Sequence, residues 1–451
     1  MNKKHGWSFI IMMMMINICI NHQVSANSFN QLKKNKVLLE AEQFTQLENE
    51  LKNILNSIDS GEVLDTKIAD AYLAFATGDP KQKEKIDAWI TSKPDSALGY
   101  LARCNYYEAV GMLHRGRRYV SNTARKSLRQ MRDDFIQAIP DCNKAITLNN
   151  KLSLAYALIT RMAMVLGQDK LVKTATTLGL NEIPDSYLIH DQYFFSFTSR
   201  WGGSMYELQN AISSRFEQLS SDDKLSPLLG FDLYFKGREA DQHKNYEQAL
   251  NFYQRAEKEY HFNSKIDQAD MLYQLKRKDE AREIYEQLIK NGTLKLAPYN
   301  KMAAIMNSKN KHNEAIDYLD KLIEIEPYNP NNLTYRGITY LWLKDAKKAK
   351  ADYDKSMVYG KYNAYARYNR GKSNMYADPK EARKDLRAAY ELRPDIINYA
   401  FFYGVILYEQ KDCRYTGPFT VYDKLCANKK CDEKKISWVK DVLLKAKKSC
   451  G

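Results

Sequence analysis

The mature part of the chain holds five histidines, His114, His190, His243, His261 and His312, scattered over its length. None stands in a His-Glu-x-x-His stretch, no serine occupies a Gly-x-Ser-x-Gly elbow, and no Gly-rich loop is built to cradle a phosphate. Zinc hydrolysis, acyl-serine chemistry and nucleotide chemistry therefore have no local signature. Asp133-Asp134 and Asp222-Asp223 are adjacent carboxylates. On a helix such neighbours point in different directions and cannot flank one reacting bond. The one grouping that a fold could assemble for acid–base work is His114 with His190 and Asp191. No nucleophile is paired with a base at a readable spacing, so the expectation is a protein that is not an enzyme and needs no cofactor and no metal.

Cysteine chemistry is easier to read. The chain opens MNKKHGWSFIIMMMMINICINHQVSA: two lysines, an apolar run of about fourteen residues, then Val-Ser-Ala. This is the pattern of a secretory signal cut after Ala26, and the run is short for a membrane span. Ile-Asn-Ile precedes Cys19, where a lipoprotein signal has a small residue. The expected location is periplasmic or secreted. Export leaves six cysteines, Cys104, Cys142, Cys413, Cys426, Cys431 and Cys450, an even set with four of them in the last 39 residues. No Cys-x-x-Cys pair is present, so disulfides are expected. The simplest division joins Cys104 to Cys142 and leaves the last four among themselves in any of three arrangements. Cys142 has a second reading as a buried thiol, because Ala138, Cys142 and Ala145 follow the spacing of a helix's apolar stripe.

The elements that must position these groups form a series. In HNEAIDYLDKLIEIEP, Ala315, Leu319 and Leu322 take offsets 0, 4 and 7. Equivalent alanines are Ala249, Ala281, Ala349 and Ala382, giving intervals of 32, 34, 34 and 33 residues. Another small residue, Gly237, Ala269, Ala303, Gly337 or Gly371, precedes each alanine by 12 or 11 positions. Small residues at both places let paired antiparallel helices approach closely, which predicts a solenoid of helix hairpins. On these residues the stretch 230–395 resembles the tetratricopeptide repeat family. Only Pro327 and Pro394 occupy the closing proline position, Lys236 and Arg336 stand where that family has an aliphatic residue, and the turn at Ala377-Asp378-Pro379 is one residue short.

The N-terminal half reads as helical but less regular, with no strand alternation. Trp89, Pro94 and Ser96 of AWITSKPDSALGYLA, Arg115-Gly116 and the SRWGGSM stretch of Ser199 to Met205 resemble an uncharacterised bacterial domain-of-unknown-function family, in which a Trp…Pro-x-Ser helix start, an Arg-Gly pair and a Trp-Gly-Gly-Ser turn recur in that order. The likeness covers roughly 80–215 and implies no activity. Arg115, Trp201 and Ser204 could line a pocket; the preferred reading is that Trp201 plugs a helix junction while the glycines turn the chain. The resulting organisation is all-α: a signal at 1–26, an irregular helical domain at 27–229, tetratricopeptide-like repeats at 230–395 and a basic, disulfide-linked cap at 396–451.

Charge is unevenly placed. The whole chain carries +14, and residues 331–451 hold 26 Lys+Arg against 14 Asp+Glu. In the same region VYGKYNAYARYNRGKSNMY sets tyrosines among cations, a composition suited to carboxylates, phosphates or sulfates. In the register of the resembled repeats, Tyr365, Tyr368, Lys372 and Tyr376, with Thr334 and Trp342, Asn300 and Asn307, and Tyr234 and Arg238, face one concave groove; Arg370 joins the set as a neighbouring cation. The preferred expectation is an exported adaptor binding an acidic protein or peptide there. The alternatives are an enzyme or enzyme inhibitor centred on the N-terminal half, and a binder of an anionic envelope polymer. Nucleic acid is not an expected partner, because export outweighs the basic pI near 9.1.

Overall fold

A computed structural model describes residues 28–115, 123, 125–217, 225–260, 262–327, 329–359, 363–427 and 431–449. The signal segment with Cys19, and His261, Lys361, Tyr362 and Cys450, lie outside the described residues, as do Gly116 and the Asp222-Asp223 pair. Every regular element among the described residues is helical. The chain divides into two compact units, one running to Gly111 and resuming from Arg132 to Lys309, the other taking Met112–Met131 and everything from Asn310.

The first unit begins with α1 (28–40), α2 (Phe44–Asp59), α3 (Thr66–Tyr72) and α4 (Pro80–Ser92). Asp79 caps α4 by accepting from Lys81 N, with Pro80 at the first helical position where its missing N–H costs nothing. Trp89 is fully buried, lies parallel to Phe44 at 6.2 Å and donates its indole N–H to Glu48 Oε1 at 3.1 Å. The Trp…Pro-x-Ser start is thus a packing feature, and a Cβ on Gly99 would lie 3.6 Å from the same indole. Next come α5 (Ala97–Arg115) and α6 (Arg125–Leu148), joined by the Cys104–Cys142 disulfide with Cα atoms 5.3 Å apart. Ala138, Cys142 and Ala145 have no exposed surface, so the apolar stripe and the bridge coexist at one position.

Helices α7 (Ser153–Leu166), α8 (Asp169–Glu182), α9 (Tyr187–Ser196) and α10 (Met205–Phe216) follow. Between α9 and α10 the Trp-Gly-Gly-Ser turn is structural. Trp201 packs on Phe195 beside Ala163, Met164 and Val172. Gly202 has φ +91°, and a Cβ on Gly203 would lie 2.2 Å from Phe197 O, so both positions require glycine. Ser204 then caps α10: its Oγ accepts from Glu207 N–H at 3.2 Å and donates to Glu207 Oε2 at 2.8 Å. The hairpin series proper opens with α11 (Phe231–Gln242), α12 (Tyr246–Tyr260), α13 (Lys265–Gln274), α14 (Lys278–Lys290) and α15 (Leu296–Ser308). Phe194 of α9 meets Phe231 of α11 at 5.8 Å, and Phe195 meets Phe235 at the same distance. This shared aromatic core packs the first repeat helices against the irregular ones.

The second unit contains α16 (His312–Ile325), α17 (Pro330–Trp342), α18 (Ala346–Tyr359), α19 (Ala364–Asn374), α20 (Pro379–Leu392), α21 (Ile397–Glu409), α22 (Thr416–Ala427) and α23 (Glu433–Ser449). Successive helices pack in order, α17 on α18, α19 on α20 and α21 on α22. The repeat alanines, Ala249, Ala281, Ala315, Ala349 and Ala382, are at most 1% exposed. Cβ atoms on Gly237 and Gly337 would meet the rings of Tyr253 and Tyr353 at 2.6 and 2.8 Å, which is why the facing positions alternate small and large. The pattern runs beyond 395: Gly404 faces Phe419 as Gly371 faces Leu386. Tyr415 stands where the other hairpins have Ala, so this sixth hairpin lacks the sequence mark of the first five. The Cys426–Cys431 disulfide closes the turn between α22 and α23, and Cys413 is also disulfide-bonded.

Candidate functional site

The second unit contains a cleft of about 540 Å³. Three helices and one turn line it: α19 supplies Lys372, the turn after it Met375 and Tyr376, α21 supplies Phe401, Phe402 and Val405, and α23 supplies Lys434, Lys435 and Trp438. Its floor belongs to α21, whose INYAFFYGVILYE run is apolar almost throughout. One side of that helix is buried on Phe419 and Tyr422, and the rest is left for the cleft. Asp432 starts α23 by accepting from the backbone N–H groups of Lys434 and Lys435, which sets their side chains one turn before Trp438. Trp438 is held edge-on by Phe401, Tyr408 and Phe419 at 6.1, 5.5 and 5.5 Å.

Lys372 Nζ lies 5.1 Å over the Phe402 ring, and Lys435 Nζ lies 5.1 Å over Phe401. Nearby Lys384, Lys440 and Lys445 each pair with a carboxylate. Among the described residues no ion pair involves Lys372, Lys434 or Lys435. Ammonium groups held over aromatic faces without a counter-charge are available to an anion. Tyr376, at 85% exposure, stands at the rim. The arrangement can seat an apolar group while offering cations beside it.

Other residues expected on the binding surface divide into two sets. Trp342 is 53% exposed and lies against His312, and Tyr365 meets the exposed Tyr335 at 5.9 Å. Asn363 donates to Asn331 Oδ1 at 2.8 Å, tying the starts of α17 and α19 so that these tyrosines share a face. Three of the expected residues are turned inward or paired within the repeat. Thr334 has no exposed surface, and its hydroxyl donates to Pro330 O at 2.6 Å. Tyr368 is 8% exposed, stacked on Tyr399 at 4.8 Å. Arg370 donates to both oxygens of the fully buried Asp385 and also to Asp354 and Glu381, so its charge is spent inside the repeat. Lys434, Lys435 and Trp438 escaped sequence reasoning because only the return of α23 brings them to α19. A usable signal existed in KKISW, which puts both lysines and the tryptophan on one helix face.

In the first unit, Tyr234 and Arg238 sit on α11, with the guanidinium 6.0 and 5.9 Å over the Tyr234 and Phe235 rings and the Tyr234 hydroxyl 3.5 Å from Asp267. Asn300 and Asn307 are half-buried on α15. Burial pushes the carboxyls of Asp191 and Asp267 up to about 6, against the opposing pull of Lys295 and Arg161 on the former and Arg238 on the latter. His190 gives no acid–base centre: it is fully buried, its Nδ1–H donates to Ser186 O at 2.7 Å, and its Nε2 accepts from Arg215 Nε–H at 2.9 Å. Both ring nitrogens are occupied. Among the described residues no group of three or more His, Cys, Asp and Glu is placed to hold a metal ion, and no helix is long and apolar enough to cross a membrane.

Residues 235–300 match the tetratricopeptide repeat family model. No curated protein matches the chain. Among solved structures, a thermophilic tetratricopeptide protein of Thermus thermophilus is 18% identical over 40% of this chain and 98% of its own, with a TM-score of 0.34. The first tetratricopeptide domain of Spaghetti, bound to an HSP90 peptide, is 24% identical over 26% of this chain and 94% of its own, at 0.25. The Cut9-Hcn1 hetero-tetramer structure is 11% identical over 94% of this chain and 91% of that one, at 0.47. The described residues form an all-α series of helix hairpins, and the part of it at 235–300 matches the tetratricopeptide repeat model.

Proposed function

We propose that this protein is an exported scaffold whose second unit docks an acidic protein or peptide partner through an aromatic, lysine-bearing surface on α17, α19, α21 and α23. The observation that carries the reading is the cleft, where three lysines without an ion pair among the described residues flank an apolar floor. Exposed Tyr335, Trp342 and Tyr376 extend aromatic area along the same unit. Hot spots of protein interfaces favour large aromatic side chains with excluded water around them, and complementary charge speeds encounter. Rigid hairpins suit this work because each is fixed by its neighbours and undergoes little ordering on binding. Export is supported by the N-terminal signal pattern and by the disulfides, which persist in oxidising compartments.

The test is cross-linking capture of partners from the native envelope with the mature protein and with a Lys372→Ala, Tyr376→Ala, Lys435→Ala variant. All three side chains contact the cleft without a buried polar partner, so the fold should be unaffected. Specific partners should be lost from the variant and weakened by salt in the wild type; identical capture by both proteins removes this surface from the proposal. Recovery of a mature chain starting at Asn27 from the envelope fraction checks export, and a full-length cytoplasmic chain refutes it.

A further inference from the structure

The cleft has a polarity that names its occupant. Lys372 stands on α19 and Lys434 and Lys435 on α23, with the apolar floor of α21 between them. Cations on both sides of an apolar floor match a ligand with anionic groups on both sides of one apolar group. A fatty acid carries its charge at one end only, and so leaves one cationic wall unmatched. A second copy of the chain is disfavoured because residues 331–451 already carry 26 Lys+Arg against 14 Asp+Glu, and like fields repel. We propose that the cleft seats an internal, extended peptide segment in which one large apolar side chain lies between acidic residues. This rests on the docking role proposed above and specifies its ligand.

The volume of about 540 Å³ holds one aromatic side chain with its flanking backbone. Met375, Phe402 and Val405 give that side chain an apolar bed, and Trp438 closes one edge. Carboxylates on either flank then approach ammonium groups that already lie over Phe401 and Phe402. Affinity therefore needs three things together: the apolar anchor, an acid toward α19 and an acid toward α23.

The probe is a fluorescein-labelled peptide with one phenylalanine between two pairs of aspartates and blocked ends, titrated into the mature protein and followed by anisotropy. Micromolar binding is expected. Replacing the phenylalanine by alanine, or the aspartates on either side by asparagines, should weaken it about tenfold or more, as should Lys372→Glu or Lys435→Glu in the protein. The peptide variants leave the protein untouched, so folding cannot explain their effect. Equal binding by the asparagine peptides, by the charge-reversed proteins, or complete displacement by equimolar octanoate overturns the proposal. If this peptide fails to bind while the triple-alanine variant still loses its envelope partners, the ligand assignment falls and the docking reading stands. If partner capture is also unchanged, both fall.

Discussion

Arg370 shows why a cation counted along the chain is not a cation available to a partner. Arg336 has the same arrangement one repeat earlier: it donates to both oxygens of Asp352 in its own hairpin and to Asp320 of the preceding helix. Arg103 repeats the fork with Asp141 and Asp87. The non-aliphatic residue at Arg336, a departure from the resembled repeat, is thus an inter-helix staple. Arg367 and Arg370 both reach Asp385, which has no exposed surface. Asp385→Ala leaves two guanidinium groups without their buried partner and should cost about 3–5 kcal/mol in urea unfolding. Lys372→Ala should cost under about 0.5 kcal/mol. A loss of stability in the second variant as large as in the first would remove the distinction drawn between staple and site. Asp191 and Asp267 give a pH signature. Their ordinary value is 3.8 and burial raises both to about 6, so the folded state holds these protons more tightly than the unfolded chain. The stability this contributes is complete below about pH 4 and is lost as pH rises through 6. Asp191→Asn or Asp267→Asn should therefore stabilise at pH 7 by about 1–2 kcal/mol, allowing for the solvent that reaches both groups, and change little at pH 4. Melting curves at the two pH values check it.

At the scale of elements, the inter-helix turns repeat as strictly as the alanines. Lys244, Lys276, Asn310, Lys344 and Lys411 all have φ between +55° and +68°. Each ends the first helix of a hairpin in the left-handed region, where a Cβ is disfavoured. Lys344→Gly should gain about 0.5–1 kcal/mol, and a loss would mean the lysine stem packs there. The turn after α19 has no such residue. Gly404 carries the opposite constraint: a Cβ there would lie 2.3 Å from the Phe419 ring, so Gly404→Ala should destabilise by about 1–3 kcal/mol. Most of this architecture was legible, because small residues at fixed spacing report helix contact directly. The sixth hairpin was not, since its alanine position is filled by Tyr415, and the aromatic seam from Phe194 to Phe235 was not, since it joins helices of irregular spacing. At the site, Lys372 and Tyr376 were legible from composition. Lys434, Lys435 and Trp438 were not, because their relevance depends on where α23 packs.

For the whole molecule, the two units should answer to different variables. The first holds the Cys104–Cys142 bridge, closing a 38-residue separation, and the buried carboxyls of Asp191 and Asp267. The second holds the excess of 26 Lys+Arg over 14 Asp+Glu in residues 331–451 and a bridge spanning only 5 residues. Loop-closure entropy assigns the longer bridge about 4 kcal/mol and the shorter about 2 kcal/mol. Self-repulsion in the second unit is screened by salt over about 8–10 Å. Repeat proteins lose all-or-none unfolding when their units differ in stability, so calorimetry should resolve two transitions. Replacing Cys104 and Cys142 by alanine, or raising the pH from 4 to 7, should lower one transition. Raising salt from 10 to about 150 mM should raise the other while weakening acidic-peptide binding. A single transition that moves with all three variables would show that the units unfold as one. Salt that stabilised the protein without weakening the peptide would separate the field of the second unit from its cleft.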